Sequence, residues 1–166
     1  MRRLAVLAAL LLPALLAAEG SQEQLFTVFY TSSLNGNLDG CECKGSPKAG
    51  LVNRAAVLRS RSRADSVLVD AGDILDVEPD TELSRHILEV YKELGYDAVA
   101  VGDQELSNGL DWLRSSSVGF PFLANNLRLK SAGGEVPLSP APLSVRKGRL
   151  RVTVISLIDP EVFALY

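Results

Sequence analysis

Two cysteines, Cys41 and Cys43, are the most reactive side chains in the sequence, and a single residue separates them. They could form a redox pair, because the neighbouring Lys44 favours a thiolate. They could instead bind a soft or borderline metal ion together with carboxylates from elsewhere in the chain. A third interpretation is an inert local disulfide or two unreactive thiols. The spacing leaves all three interpretations open, although two thiolates alone do not complete a tetrahedral metal site.

Three acidic residues, Asp73, Asp103 and Glu105, follow short apolar runs of the sequence. Their carboxylate oxygens could retain one hard divalent cation. Each also has a structural alternative, because Asp73 could accept backbone N–H bonds in a turn and Glu105 could cap the start of a helix. Asn125 follows a later apolar run and is a candidate for substrate binding, with a turn role as its alternative.

Apolar runs that alternate with helical patterns predict the elements that position these side chains. Strands are expected at residues 25–30, 66–70, 97–101 and 120–124, the first of them buried, and helices at 51–64, 81–94 and 110–115. This alternation predicts an α/β fold with a mostly parallel sheet flanked by helices. Ligands bind such sheets beyond the carboxyl ends of the strands, which selects the loops 32–50, 71–77, 102–109 and 125–126.

The last third of the chain has a different pattern. Residues 131–142 contain three prolines and two glycines, which predicts an irregular segment. Residues 143–146 and 150–157 are predicted to form two strands of a hairpin that turns at Lys147 and Gly148.

Basic residues cluster on the first predicted helix. We interpret this arginine set as a solvated helix face, with phosphate binding as the alternative. It consists of Arg54, Arg59, Arg61 and Arg63. Asp70, at the end of the second predicted strand, is interpreted as structural.

The selected loops resemble, in order, the motifs of the secreted 5′-nucleotidases in the calcineurin-like metallophosphatase superfamily. Residues 31–38 resemble T-N-D-L-H-G-N, 49–54 resemble G-G-L-A-R, 69–73 match D-A-G-D, 94–102 match L-G-Y-D-A-V-A-L-G, and 120–127 resemble F-P-V-L-S-A-N-L. The resemblance covers about residues 25–160. It implies half of a metallophosphatase α/β sandwich, so we expect an incomplete domain. It also implies an ancestry in metal-dependent phosphoester hydrolysis.

The sequence departs from that family where metal ligands are expected. The resemblance implies metal-binding Asp and His at the positions of Ser33 and Asn35, and the metal ligand Asn and catalytic His at the positions of Asp103 and Gln104. Asp73, which corresponds to the residue that bridges two metals in the family, is retained. Because the neutral amide of Asn35 binds divalent cations weakly and Gln104 cannot donate a proton as a histidine can, we expect a degenerate dinuclear centre that holds at most one divalent metal ion.

The segment that carries the cysteines also has a counterpart. Residues 39–47 resemble a Gly-Cys-x-Cys insertion found in a divergent branch of exported nucleotidase-like proteins, in which selenocysteine sometimes replaces cysteine. The resemblance implies a redox or altered metal chemistry at Cys41 and Cys43 in place of phosphatase chemistry.

The first 20 residues have the pattern of a secretory signal peptide. Arg2 and Arg3 precede a 15-residue apolar run, and small residues follow at 18–20. The run is shorter than the roughly 20 residues of a membrane-spanning helix, although an uncleaved anchor is the alternative. We therefore expect a metallophosphatase-like domain over residues 21–166, periplasmic or extracellular, with no membrane span after cleavage.

The composition limits the classes of molecule that the protein is expected to bind. The net charge is −3, the pI is near 5.2 and aromatic residues make up 6% of the chain. These values argue against a nucleic-acid binder, which normally carries a basic patch or stripe. The sequence predicts an exported nucleotidase-like domain with altered chemistry. The alternatives are an inactive fragment that binds a small molecule or protein partner and a working phosphoester hydrolase.

We predict that the exported protein begins within a few residues of Ser21. Mass spectrometry of the secreted or periplasmic protein measures this directly. Recovery of the exported protein with Met1 or Arg2 intact would exclude cleavage.

Overall fold

A computed structural model describes residues 26–40, 50–61, 63–116, 118–131, 134–139, 141–159 and 161–162. Its centre is a parallel sheet in the order β1-β2-β3-β4, formed by Thr27–Thr31, Ser66–Asp70, Ala98–Ala100 and Phe122–Leu123. The helices are α1 (Leu51–Arg59), α2 (Thr81–Leu94) and α3 (Leu110–Ser116), with a 3-10 turn at Gln104–Leu106. This arrangement confirms the predicted α/β fold. The predicted signal peptide, Cys41 and Cys43 lie outside the described residues.

Helix α2 has the bounds that the sequence predicts. The Asp80 side chain accepts hydrogen bonds from the backbone N–H groups of Glu82 and Leu83, which caps the first turn. Gly95 ends the helix in the left-handed conformation, with φ of 68°. Ile87 and Leu94 are buried in the main hydrophobic core, which lies between the sheet and the helices α1 and α2.

Helix α1 buries the three apolar residues that the sequence pattern selected, Leu51, Ala55 and Leu58. The helix ends at Arg59, whereas the sequence predicted an extension to residue 64. Ser60 donates a side-chain hydrogen bond to the Val57 carbonyl, 2.7 Å away. This local bond competes with further helical bonds and closes the last turn.

Strand β1 is an edge strand, so the prediction of a buried strand was wrong. Thr27, Val28 and Tyr30 are exposed, and only Phe29 packs against the main core. Helices cover one face of the sheet next to β1. Val28 and Tyr30 alternate with Phe29 along the strand, so their side chains lie on the opposite face of the sheet.

Two antiparallel hairpins follow the sheet. The first pairs β5 (Arg128–Ser131) with β6 (Gly134–Pro137), so the prediction of an irregular segment at 131–142 was wrong for residues 131 and 134–137. The second is the predicted hairpin, which pairs β7 (Leu143–Lys147) with β8 (Leu150–Val154). Its turn lies one residue later than predicted, at Gly148 and Arg149, and β8 ends at Val154, so the prediction of a strand up to residue 157 was wrong. Gly148 has φ of 58°, which favours glycine at this turn.

A buried carboxylate, Asp70, fixes the carboxyl end of β2. Its Oδ2 atom accepts hydrogen bonds from Arg54 Nη1 and the Tyr91 hydroxyl, each 3.0 Å away, and from the Thr31 hydroxyl. Its Oδ1 atom accepts from the Gly72 N–H at 2.9 Å. The side chain of Asp70 is fully buried, which confirms its structural interpretation.

Two of the four arginines are not part of a solvated face. Arg54 contacts Asp70 and also donates to the Ser32 carbonyl at 3.0 Å, so it ties α1 to the loop after β1. Arg63 donates to the carbonyls of Leu94 and Gly95 at the end of α2. The interpretation as a solvated face was therefore wrong for these two arginines, because a buried carboxylate and a helix terminus recruit them.

In the part of the chain that the structure describes, no helix combines the length and the apolar character needed to cross a bilayer.

We predict that Arg54→Ala lowers the free energy of unfolding by about 3 kcal/mol, because it leaves Asp70 buried without its cation. Arg59→Ala is the matched control on the same helix. The Arg59 side chain is 65% exposed and pairs only with Glu93 at 3.5 Å, so its loss should cost at most about 0.5 kcal/mol. Urea unfolding followed by circular dichroism measures both values. Equal effects of the two substitutions would contradict the prediction.

Candidate functional site

Two loops that leave the first two strands meet at the carboxyl edge of the sheet. Ser33 N–H donates to the Gly72 carbonyl and Asn35 N–H donates to the Asp73 carbonyl, both at 2.9 Å. Ser33, Asn35 and Asp73 have φ values of 48°, 52° and 56°, which non-glycine residues rarely adopt. All three are positions that the sequence selected as site residues. Backbone strain of this kind clusters at functional sites.

Glu105 joins the loop after β2 to the loop after β3. Its side chain is completely buried, and Oε1 accepts from the N–H groups of Ile74 at 2.7 Å and Leu75 at 3.4 Å. Oε2 accepts from the N–H groups of Asp73 at 3.0 Å and Gly102 at 2.5 Å. Glu105 is therefore an acceptor for backbone amides of both loops. The sequence suggested two other roles for Glu105, a helix cap and a metal ligand. The observed role is not that of a helix cap, and the role as a metal ligand stays a prediction.

Burial raises the pKa of Glu105 to about 7, even though the N–H groups of Gly102, Ile74 and Asp73 favour its ionised form. The charge of Asp73 raises the pKa of Glu105 further. Glu105, which links the two loops, therefore gains or loses its proton near neutral pH.

Asp73 is held against the loop after β3 by close packing. A Cβ atom on Gly102 would lie only 2.0 Å from Asp73 Oδ1, so a side chain at position 102 would displace the Asp73 carboxyl group. Burial, followed by the negative charge of Asp103, raises the pKa of Asp73. Asp73 and Asp103 are also linked by a side-chain hydrogen bond. The structure thus brings together two of the three predicted acidic residues as an adjacent carboxyl pair.

Gln104, which stands where the resemblance implies a catalytic histidine, is partly buried at the same place. Its backbone N–H bonds to the Asp73 carboxylate, and its side-chain Oε1 atom is buried without a hydrogen-bond partner. Asp73 Oδ1 is likewise buried and unpaired. Both oxygens lack a hydrogen-bond partner, and both are of the type that hard cations prefer as ligands.

The described residues at this edge offer few charged oxygens to a metal ion. Among the described residues, no three or more His, Cys, Asp or Glu side chains are grouped so that they could hold a metal ion. Both oxygens of Glu105 already accept backbone N–H groups. The side chains of Ser33, Asn35 and Gln104 are neutral, so little negative charge remains to offset two divalent cations.

The segment that carries Cys41 and Cys43 leaves and rejoins the described chain at nearly the same point. A Cβ atom on Gly50 would lie 2.3 Å from the backbone nitrogen of Gly40, and Gly50 has φ of 99°. Leu51 N–H donates to the Asn37 carbonyl at 3.0 Å, which fixes this junction at the start of α1. The cysteines themselves lie outside the described residues, so their redox or metal role stays a prediction.

Asn125 makes structural contacts in this arrangement. Its Oδ1 atom accepts from the Ser156 N–H at 2.8 Å, and its own N–H donates to the Ser156 carbonyl at 3.1 Å. The side-chain amide of Asn126 makes two hydrogen bonds with Ile158: Nδ2 donates to the Ile158 carbonyl at 2.7 Å, and Oδ1 accepts from the Ile158 N–H at 3.0 Å. These contacts tie Asn125 to a segment 31 residues later in the chain, and its substrate-binding role stays a prediction.

Sequence reasoning missed Gly36, Gly102 and the network around Asp70 as determinants of the site. A Cβ atom on Gly36 would lie 2.8 Å from the Asp76 side chain, so this glycine permits close approach of the two loops. A usable signal was present, because a glycine follows each of the first three strands within a few residues.

Comparison with known proteins shows which proteins this chain is similar to. No protein-family profile matches the chain. It is 33% identical over 107 residues to a snake venom 5′-nucleotidase from Naja atra, covering 60% of this chain and 20% of the relative. It is 30% identical over 182 aligned positions to a 2′,3′-cyclic-nucleotide 2′-phosphodiesterase/3′-nucleotidase from Yersinia enterocolitica, covering 92% of this chain and 28% of the relative. The chain thus spans about a quarter of the length of these proteins.

Solved structures give the same result for the fold. A 5′-nucleotidase precursor from Thermus thermophilus superposes with a TM-score of 0.65 at 21% identity, covering 83% of this chain and 29% of that one. A putative 5′-nucleotidase from Staphylococcus aureus, solved with alpha-ketoglutarate, has a TM-score of 0.60 at 19% identity and covers 78% and 28% of the two chains. The resemblance stated from the motifs is confirmed.

We predict that Glu105→Gln changes how stability depends on pH. The folded pKa of Glu105 is about 7 and its ordinary value is 4.5, so the folded state retains the proton over this window. The free energy of unfolding of the natural chain should therefore fall, by up to about 3 kcal/mol from this group, as pH rises from about 4.5 to about 7. In Glu105→Gln this contribution is absent.

Urea unfolding of both chains at about pH 5 and about pH 8 measures the difference. Glu89→Gln is the control, because Glu89 is an exposed residue on α2. An identical pH dependence in the natural chain and in Glu105→Gln would show that Glu105 does not titrate in this window.

Proposed function

Because the chain belongs to the 5′-nucleotidase-like branch of the calcineurin-like metallophosphatases, we propose that it is an exported domain of that branch with a degenerate two-metal centre. In this proposal its chemistry has moved from phosphoester hydrolysis to thiol redox exchange at Cys41 and Cys43. The observation that carries the proposal is the neutral set of Ser33, Asn35 and Gln104 around Asp73 at the sheet edge.

Hydrolysis by the route of the family is disfavoured for electrostatic reasons. Two cations a few ångströms apart repel each other, and bridging and terminal anionic ligands must offset this repulsion. The described site supplies Asp73 and Asp103 as a carboxyl pair, while Glu105 is committed to backbone amides. Gln104 also has no proton to give to a leaving oxygen.

Thiol exchange needs none of these ligands. Oxidation of Cys41 and Cys43 to a disulfide releases two protons and passes two electrons to the disulfide of an external partner, which becomes two thiols. A ring closed across one intervening residue is strained and therefore easily reduced again. The close approach of Gly40 and Gly50 supports the proposal, because it holds both ends of the cysteine segment at one place on the protein.

A second candidate function is the binding of one divalent cation without catalysis. The buried and unpaired Oδ1 atom of Asp73 favours it, together with the adjacent carboxyl group of Asp103. In that case the domain would bind a metal ion, and through it a small anionic molecule, without turning it over.

We predict no metal-dependent hydrolysis of AMP or bis(p-nitrophenyl) phosphate above background with Mn²⁺, Zn²⁺ or Co²⁺. The reason is the loss of anionic ligands and of the proton donor. Release of phosphate or p-nitrophenol measures this. Turnover that disappears in Asp73→Ala would overturn the proposal in favour of a working hydrolase.

We also predict that both thiols react with a small alkylating reagent after mild reduction and are protected after oxidation by a disulfide such as oxidised glutathione. Mass spectrometry counts the alkyl groups. Cys41→Ser and Cys43→Ser, made singly and together, should lose reversible protection and melt at nearly the same temperature as the natural chain, because so small a loop removes little chain entropy. Thiols that stay unreactive in the reduced protein, or a large loss of stability in the double variant, would exclude the redox function.

A further inference from the structure

One peptide unit of the loop after β1, the unit between Ser32 and Ser33, is held from both sides. Its carbonyl oxygen accepts a hydrogen bond from Arg54 Nη2 at 3.0 Å. Its N–H group donates to the Gly72 carbonyl at 2.9 Å. The two bonds join the same peptide unit to two different elements, helix α1 and the loop after β2. The orientation of this peptide unit therefore depends on both elements.

The orientation of that peptide unit sets the backbone conformation of Ser33. The φ angle of Ser33 is 48°, in the left-handed region, which is unfavourable for a residue with a side chain. Rotation of the peptide plane between Ser32 and Ser33 would bring φ to a negative value and relieve this strain. The same rotation would break both hydrogen bonds. Arg54 thus opposes a relaxation that the strain at Ser33 favours.

Beyond Ser33, backbone bonds join the loop after β1 to the loop after β2. Asn35 N–H donates to the Asp73 carbonyl at 2.9 Å, and Gly36 N–H donates to the Ile74 carbonyl at 3.2 Å. The bond of Ser33 is the first of this series. A rotated peptide at that point therefore removes the first bond and leaves the bond to Asp73 at the end of the series less restrained.

Arg54 contacts the peptide with one nitrogen and Asp70 with the other. Nη1 lies 3.0 Å from Asp70 Oδ2, and the arginine side chain is only 16% exposed. A guanidinium group bonds two acceptors in fixed directions, whereas the ammonium group of lysine is a single point charge. A lysine at this position can therefore keep the ion pair with Asp70 and lose the contact with the Ser32 carbonyl.

We propose that Arg54 is a positioning residue of the candidate site. It holds the peptide unit between Ser32 and Ser33, and in this way it keeps the loop that carries Ser33 and Asn35 against Asp73. The proposal rests on the proposed function only in taking this edge of the sheet as the site. The role goes beyond neutralising a buried carboxylate, because Nη2 acts on an uncharged backbone group.

The first test is amide hydrogen exchange, measured by NMR on the whole chain with Arg54→Lys. The substitution retains the positive charge opposite Asp70 and leaves the Ser32 carbonyl without its donor. Exchange at Ser33 and Asn35 should become about tenfold faster, which is the factor expected for the loss of one hydrogen bond from a charged group.

Two control variants separate this local effect from a loss of global stability. Arg59→Lys changes an arginine on the same helix that is 65% exposed, and it should leave exchange unchanged. Tyr91→Phe removes a hydroxyl from the buried network around Asp70 but keeps the peptide contact of the arginine. In Tyr91→Phe, exchange at Ser33 should rise no more than at Val99, whose N–H group is bonded within the sheet and reports global opening.

The second test measures whether the position of the loop affects the site. Binding of Mn²⁺ alone, followed by electron paramagnetic resonance, should be about tenfold weaker in Arg54→Lys than in the natural chain, as for residues that orient ligands from outside. Binding in Arg59→Lys should equal that of the natural chain. If the natural chain binds no Mn²⁺, the cation-binding function fails, and amide exchange by itself decides the proposal.

Three results would overturn the proposal. Equal acceleration at Ser33 and Val99 in Arg54→Lys would mean that the arginine acts only on global stability. Unchanged exchange at Ser33 and Asn35 would mean that the peptide keeps its orientation without the arginine. Equal Mn²⁺ binding in the natural chain, Arg54→Lys and Arg59→Lys would mean that the held loop does not affect the site.

Discussion

The site depends on one buried carboxylate, that of Glu105. The loops after β2 and β3 turn sharply at the carboxyl edge of the sheet, and the turns aim several backbone N–H groups into a space that water does not reach. Buried amides without acceptors would each cost about 1–3 kcal/mol. Glu105 supplies both acceptor oxygens, and in doing so it sets the distance between Asp73 and Gly102 on which the rest of the edge depends.

The interactions that hold the loops at the carboxyl edge of the sheet are separate from those that would bind or convert a ligand there. The loops are held by backbone bonds, by the amide acceptor Glu105 and by the carboxylate of Asp70 with its cation. None of these bonds uses the side chains of Ser33, Asn35 or Gln104. Replacing ligands at such positions therefore changes the chemistry of the site at little cost to the fold. A chain can in this way keep the nucleotidase-like frame and lose the two-metal centre.

The sequence predicts the elements whose signals are local. Helix α2 has a capping Asp80, a regular apolar stripe and Gly95 past its end, so its bounds follow from the sequence alone. The exposure of β1 does not follow from the sequence, because an apolar run has the same pattern in a central strand and at an edge. The burial of Arg54 depends on Asp70 in another element, and the role of Glu105 depends on the direction of amides in two distant loops. Such pairings arise only when the chain folds.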